Sequence, residues 1–470
     1  MKFSILKEEI TPHIPVLQGG FAARTHKSEG IHDNPYATVV IIQANKTVII
    51  IALDLLYGDR SFANGIKKAI YEKYGLKEED VIINYSHTHS VVGVTGEEDE
   101  GRSPRSYSIN DDNFEWNEEN KKKDTDFSED IKYFRMIRSK IINMINRGLK
   151  NLIEGEAYIC KGSSKFGVSR RYPWEGGVLW KPYFNKEAID TDLFLIKFID
   201  KNGKLRGLIF NYACHPTTLG PDNYLISADY PGVVRKYLES QNPGMISVFL
   251  QGCGADIKPY ITADNDKFKS CNFDELETAG RFLATEIQAL INDNEDQKDT
   301  IKGSKWRRID FNIRTDSVEI KLYSETWDIQ KWESLQNDPK TPEYRKPSIK
   351  KVIQNMKEGI VKNYIPYYIS LFRLDDRTCI IALECEVVSG IGKNIKKILN
   401  NEDAIVLGYS NSSVCYIPTR KILREGGYES ESFISARLAG PLVPEVEDII
   451  TSKAVLMAKS IYKDYWCRIR

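Results

Sequence analysis

Hydrophobic and polar positions follow two periods along the chain, and the alternation between them predicts the elements. Two apolar runs, residues 37–42 and 47–55, flank the turn-like Ala44-Asn45-Lys46 and predict paired strands. Residues 61–74 carry apolar side chains at helical spacing (Phe62, Ile66, Ala69, Ile70) and stop at Gly75. Residues 81–85 predict a short buried strand that delivers Ser86-His87-Thr88-His89-Ser90 at its C-terminal end. A long amphipathic helix is predicted over 131–152, strands over 157–160, 193–199 and 206–213, a helix over 231–238 and a strand over 246–250. A helix over 274–291 leads into the polar stretch 292–305. Strands within 308–323, a helical region over 326–358 and strands over 367–374 and 378–383 follow. Strands alternating with helices predict an α/β protein with mixed central sheets flanked by helices.

The polar stretch 97–127, with EEDE and KKK runs, predicts a long excursion or lid without a core of its own. The chain reads as a single catalytic domain over 1–470, divisible into sub-domains 1–291 and 306–470. Lys+Arg and Asp+Glu both number 66. This balance removes any general electrostatic case for nucleic acid or an anionic membrane as partner. The N-terminal MKFSILKEEITPHIPV lacks the apolar run of a signal peptide, and no stretch approaches the ~20 apolar residues of a membrane span. The eight cysteines form no C-x-x-C pair, and several sit inside apolar runs. A cytoplasmic setting is expected.

Of six histidines, two form His87-Thr88-His89. In an extended segment, residues i and i+2 point the same way, so both rings are expected to face one cleft. The competing reading is a polar loop with solvated histidines. His215 ends an apolar strand and is fixed by Pro216, a position that suits a metal ligand, a base, or a core histidine bonded to backbone. Glu384 and Glu386 follow the apolar CIIAL. Two histidines and a carboxylate make a zinc site with an open position, but spacing does not say which residues converge. The loop Gly252-Cys253-Gly254-Ala255-Asp256 has the look of an anion cradle, though it lacks the Gly-Lys-Ser/Thr of a phosphate loop. No G-x-S-x-G elbow is present, which disfavours a serine hydrolase.

In order, ITPHIPVLQGGFAAR, SHTHS, SRR, NYACHPTTLG with LISADYPG, FLQGCGADIKP, and GYSNSSVCYIPT with GGYE resemble the neutral/alkaline non-lysosomal ceramidase family from about residue 9 to about 430. The resemblance implies a single Zn2+ held by two histidines, a glutamate and a tyrosine. These fall at His87, His215, Glu386 (with Glu384 as the competing register) and Tyr416. It also implies catalytic roles for His89 beside the metal, and for Arg170 and Tyr428 at the substrate carbonyl. Asp229 and Asp256 are candidates to orient ligands, with a helix N-cap as the plainer role for Asp229. Lys258 stands where the family has a catalytic serine, and Val91-Val92 replace the Gly-Pro after HTHS. Neither the family's secretory signal nor its C-terminal β-sandwich domain is expected here. The expectation is a zinc amidohydrolase of a small N-acyl substrate. The alternatives are an ester or phosphoester hydrolase that uses Lys258 and the 252–256 loop for an anion, and a silent ligand-binding homologue.

Overall fold

The computed structural model describes residues 1–12, 15–94, 128–292, 306–400 and 403–460. The expected excursion at 97–127 and most of the polar stretch 292–305 lie outside the described residues. The fold is mixed α/β, with two sheets face to face and helices on their outer faces.

The larger sheet runs in the order Ile246–Gln251, Leu205–Tyr212, Asp192–Asp200, Ile153–Ser163, Lys2–Glu9, Tyr36–Gln43, Thr47–Leu53, Val81–Tyr85. Arg307–Arg308 also pairs with Ile153–Ser163. Most pairs are antiparallel; Thr47–Leu53 with Val81–Tyr85 and Leu205–Tyr212 with Ile246–Gln251 are parallel. The smaller sheet runs Arg314–Tyr323, Tyr364–Arg373, Thr378–Leu383, Asp403–Leu407.

Strand alternation explains the unbroken apolar runs. Val40, Ile42, Val48 and Ile50 point inward and pack with Phe372, Ile380 and Ile405 of the smaller sheet. Val39, Ile41, Ile49 and Ile51 point outward, under helices Arg60–Tyr74 and Ser128–Lys150. A strand covered on both faces must be apolar at every position, which erases the period-2 signal. Helices Asp229–Gln241 and Phe273–Asn292 cover the other end of the large sheet, and Lys346–Lys357, Ser389–Ile398 and Val446–Ser460 cover the small one.

The expected helical region 326–358 is two helices, Ile329–Asn337 and Lys346–Lys357. The chain breaks at Asp338-Pro339, where proline cannot continue a helix. The Lys2–Glu9 strand escaped sequence reading because half of its residues are half-buried and its C-terminal end, Lys7-Glu8-Glu9, is charged throughout, which hides the pattern. The seven described cysteines are buried and form no disulfide among the described residues, in keeping with the apolar context of several of them. Among the described residues no helix is long and apolar enough to cross a membrane.

Candidate metal centre

The chain ends of three core strands meet at one buried point. His87 and His89 leave strand Val81–Tyr85, His215 follows strand Leu205–Tyr212, and Glu386 follows strand Thr378–Leu383. Tyr416 lies directly across a short parallel ladder from Glu386. Several residues here adopt left-handed backbone: His87 (φ 65°), Asp229 (φ 55°), Cys385 (φ 67°) and Tyr409 (φ 48°). Such strain persists only where surrounding structure enforces it, and it clusters at functional sites. The His87 conformation also corrects the sequence reading. The two histidines do share one cleft, with ring centroids 5.0 Å apart, but a turn brings them there and not extended alternation.

Main-chain carbonyls fix both candidate histidine ligands. His87 Nδ1 lies 2.7 Å from the Leu56 carbonyl oxygen and His215 Nδ1 lies 2.8 Å from that of Gly254. A carbonyl only accepts, so each Nδ1 carries the proton and each Nε2 keeps a lone pair. Those lone pairs face Glu386 Oε2, 3.1 Å from His87 Nε2 and 3.3 Å from His215 Nε2. The Tyr416 hydroxyl is 3.5 Å from His215 Nε2. Three acceptors therefore crowd together, and Glu386 Oε2 has no hydrogen-bond donor among the described residues. Burial pushes His215 down to about 4. A cation at the centre of this cluster would satisfy all three acceptors. For zinc–ligand bonds of about 2.0–2.2 Å, tetrahedral ligand atoms lie roughly 3.3 Å apart; the observed spacings of 3.1–3.5 Å fit.

Glu384, the competing register, faces away. It pairs with Arg60 at 2.7 Å and accepts the Tyr368 amide at 2.8 Å. His89 sits beside the cluster, its ligand atom within 4.8 Å of those of His87 and His215. Both its ring nitrogens are buried without a hydrogen-bond partner among the described residues. Burial, with His87 and His215 nearby, pushes its pKa well below the ordinary histidine value. Phe21 packs edge-on to the ring at 4.7 Å. A Cβ at Gly20 would stand 2.3 Å from its Nδ1, so only glycine seals this side. Arg24, buried, donates to the His89 and Gly19 carbonyls.

Arg170 Nε donates to Glu429 at 2.8 Å, and its guanidinium lies 5.4 Å from the Tyr416 ring and 5.5 Å from that of Tyr428. Its Nη2 is buried with no acceptor among the described residues. Tyr428, partly exposed, stands edge-on to Tyr416 at 5.3 Å. Sequence reading missed Glu429, which accepts from both Arg170 and Arg171. Its position inside the GGYE block was the available signal. The Leu56 and Gly254 carbonyls left no signal at all, since any residue supplies one.

The expected anion cradle at 252–256 is filled by its own backbone. The Gly252, Gly254 and Ala255 amides donate to the Tyr212, Gly252 and Val387 carbonyls. The loop orients His215 through the Gly254 carbonyl, and three of its five amides are committed to backbone. Lys258, pushed down to about 8 by burial and then by Arg170, spends its ammonium on Thr217 Oγ1 at 3.0 Å. Asp256 accepts from Ser389 N at 2.7 Å and Ser389 Oγ at 3.0 Å, bracing the segment that carries Glu386. Asp229 is the first residue of its helix, with Ala228 as N-cap. Its carboxylate accepts from the Thr218 and Leu219 amides and so ties down the loop after His215.

No family model matches the sequence. Over 272 residues the chain is 24% identical to neutral ceramidase of Pseudomonas aeruginosa, an alignment covering 55% of this chain and 37% of that protein. The aligned part thus spans well under half of the relative's length. The fold is similar to the crystal structure of neutral ceramidase from Pseudomonas aeruginosa, with TM-score 0.65 and 16% identity over 98% of this chain and 74% of that one. It is equally similar to a ceramidase complexed with C2, with TM-score 0.67 and 15% identity over 98% and 75% of the respective chains. The chain is a neutral ceramidase homologue at low sequence identity and shares that fold.

Proposed function

We propose that the chain is a zinc-dependent hydrolase cleaving a linear, non-peptide N-acyl amide. One observation carries the reading: Glu386 Oε2 lies buried 3.1 Å from His87 Nε2 and 3.3 Å from His215 Nε2, with the Tyr416 hydroxyl 3.5 Å from the latter. These four residues would hold the ion. A bound zinc supplies Lewis acidity, which makes water nucleophilic near neutral pH and polarises a carbonyl. The three-histidine grouping with His89, whose ligand atoms lie within 4.8 Å of one another, is the alternative ligand set.

His89 is neutral at pH 7 and has both nitrogens free, so it takes a proton from the attacking water and returns it to the leaving amine. Arg170 offers its unused Nη2, and Tyr428 its hydroxyl, to the oxygen on which charge develops. Glu429 holds the Arg170 guanidinium in place. The similarity to neutral ceramidase supports an amide as the bond cleaved.

The test is metal content beside activity. Purified protein is expected to carry near-stoichiometric zinc, and His87→Ala to lose both zinc and turnover. A metal-free wild type with full activity on N-acyl amides would sink the reading. A screen across N-acyl amides, esters and phosphoesters then identifies the bond.

A further inference from the structure

The cavity beside Arg170 and Tyr428 carries chemistry that amide cleavage does not use. It holds about 540 Å³. On the side of the candidate centre, Trp180 stands edge-on to Tyr428 at 5.4 Å. On the far side Trp327 lies 5.2 Å from Phe433, and the fully buried Trp332 backs both. Two aromatic walls of this kind suit an apolar body.

The remaining lining is cationic in balance: Arg170, Arg171, Lys340 and Arg345 stand against Asp338, Glu429 and Glu431. Glu429 is committed to Arg170 and Arg171, and Glu431 to Arg345. Asp338 accepts the Lys340 backbone amide at 2.8 Å. The buried Arg345 guanidinium lies 5.9 Å from the Tyr428 ring, so it is one ring away from Tyr416 and the candidate centre. A guanidinium has five donors in a planar fork, and Glu431 contacts only one of its nitrogens. Lys340, exposed on the same wall, has no ion pair among the described residues. A neutral amide would leave these donors to water.

We propose that this cavity selects N-acyl amides that bear a carboxylate, in chemical class N-acyl amino acids. Arg345 and Lys340 receive the carboxylate, and the acyl chain lies between Trp180 and Trp327. The proposal rests on the amide-hydrolase reading for its scissile bond, but its binding half stands on the cavity alone.

The probes are N-octanoylglycine and N-octanoylethanolamine, which share an acyl chain and differ in the carboxylate. Binding is followed by tryptophan fluorescence in the full-length His87→Ala protein, where turnover cannot interfere. The glycine conjugate is expected to bind about tenfold more tightly, the scale of one charge-assisted contact, with the preference shrinking as salt is added. Arg345→Gln and Lys340→Gln should each erode that preference and leave the ethanolamide unchanged. Lys340 is exposed, so its variant reports even if Arg345→Gln fails to fold. Equal affinity for the two probes, or a preference that survives Lys340→Gln and a folded Arg345→Gln, overturns the proposal. Tight glycine-conjugate binding without hydrolysis by wild type would overturn the hydrolase reading and leave this subsite standing. Hydrolysis of both compounds with equal KM would do the reverse.

Discussion

Glu386 and Glu384, two residues apart, show how backbone direction divides two carboxylates between opposite duties. Glu386 faces the two imidazoles of the candidate centre, whereas burial pushes Glu384 up to about 7, with Arg60 and the Tyr368 amide pulling the other way. A carboxyl raised above its unfolded value of 4.5 keeps its proton in the folded state while the unfolded chain has lost it. Its stabilising contribution is therefore complete below about pH 4.5 and lost as pH rises through about 7. Glu384→Gln should flatten that slope by about 3 kcal/mol, on the conversion of 1.36 kcal/mol per pH unit. Urea unfolding of both proteins at pH 4.5 and pH 7.5 checks this; parallel pH curves would refute it. On the substrate side, Tyr428→Phe is expected to retain zinc and lose turnover by roughly 10²–10³-fold, the cost of one oxyanion donor. Loss of the metal in that variant would mean that Tyr416 and Tyr428 do not have separate roles.

At the scale of elements, the helix Ser389–Ile398 begins three residues after Glu386, and its first amide and hydroxyl are held by Asp256 from another part of the chain. Removing that carboxylate should cost about 1–2 kcal/mol, as for other helix caps, and should loosen Glu386. Asp256→Ala is thus expected to lower both the unfolding free energy and zinc affinity; zinc affinity equal to wild type would show that the brace does not reach the site. Most elements were legible in the sequence where a periodic run ended in a marked stop. Helix Arg60–Tyr74 ends at Gly75 in the left-handed conformation, as its position after the last apolar residue implied. The hairpin Gly167–Trp174 with Gly177–Tyr183 was not legible, because its exposed Trp174 and Trp180 break any inward–outward alternation. The site residues were legible as motifs, but their convergence was not. Nothing in SHTHS or ACHPT says that Glu386, and not Glu384, turns toward them; that depends on the left-handed Cys385 between the two.

Across the whole molecule, the candidate centre joins two halves, one built on each sheet, that also share an apolar core. His87 and His215 come from ends of the larger sheet, whereas Glu386 follows a strand of the smaller one and Tyr416 pairs beside it. An ion bound only by the assembled arrangement stabilises the folded state by mass action, about 2.7 kcal/mol at a hundredfold excess over Kd. Chelation should therefore lower the melting temperature of the whole chain in a single transition, and zinc should restore it. In His215→Ala the response should vanish. If chelation removed bound zinc but left Tm unmoved, the ion would not be coupling the halves. The anchoring of both imidazoles on main-chain carbonyls bears on inheritance. A side chain that orients a ligand can be lost by one nucleotide change, but the carbonyls of Leu56 and Gly254 survive every substitution at those positions. The protonation pattern of the two histidines is thus written in the path of the backbone. Descendants of this chain can drift widely in sequence and still keep it, so long as insertions and deletions spare the two loops.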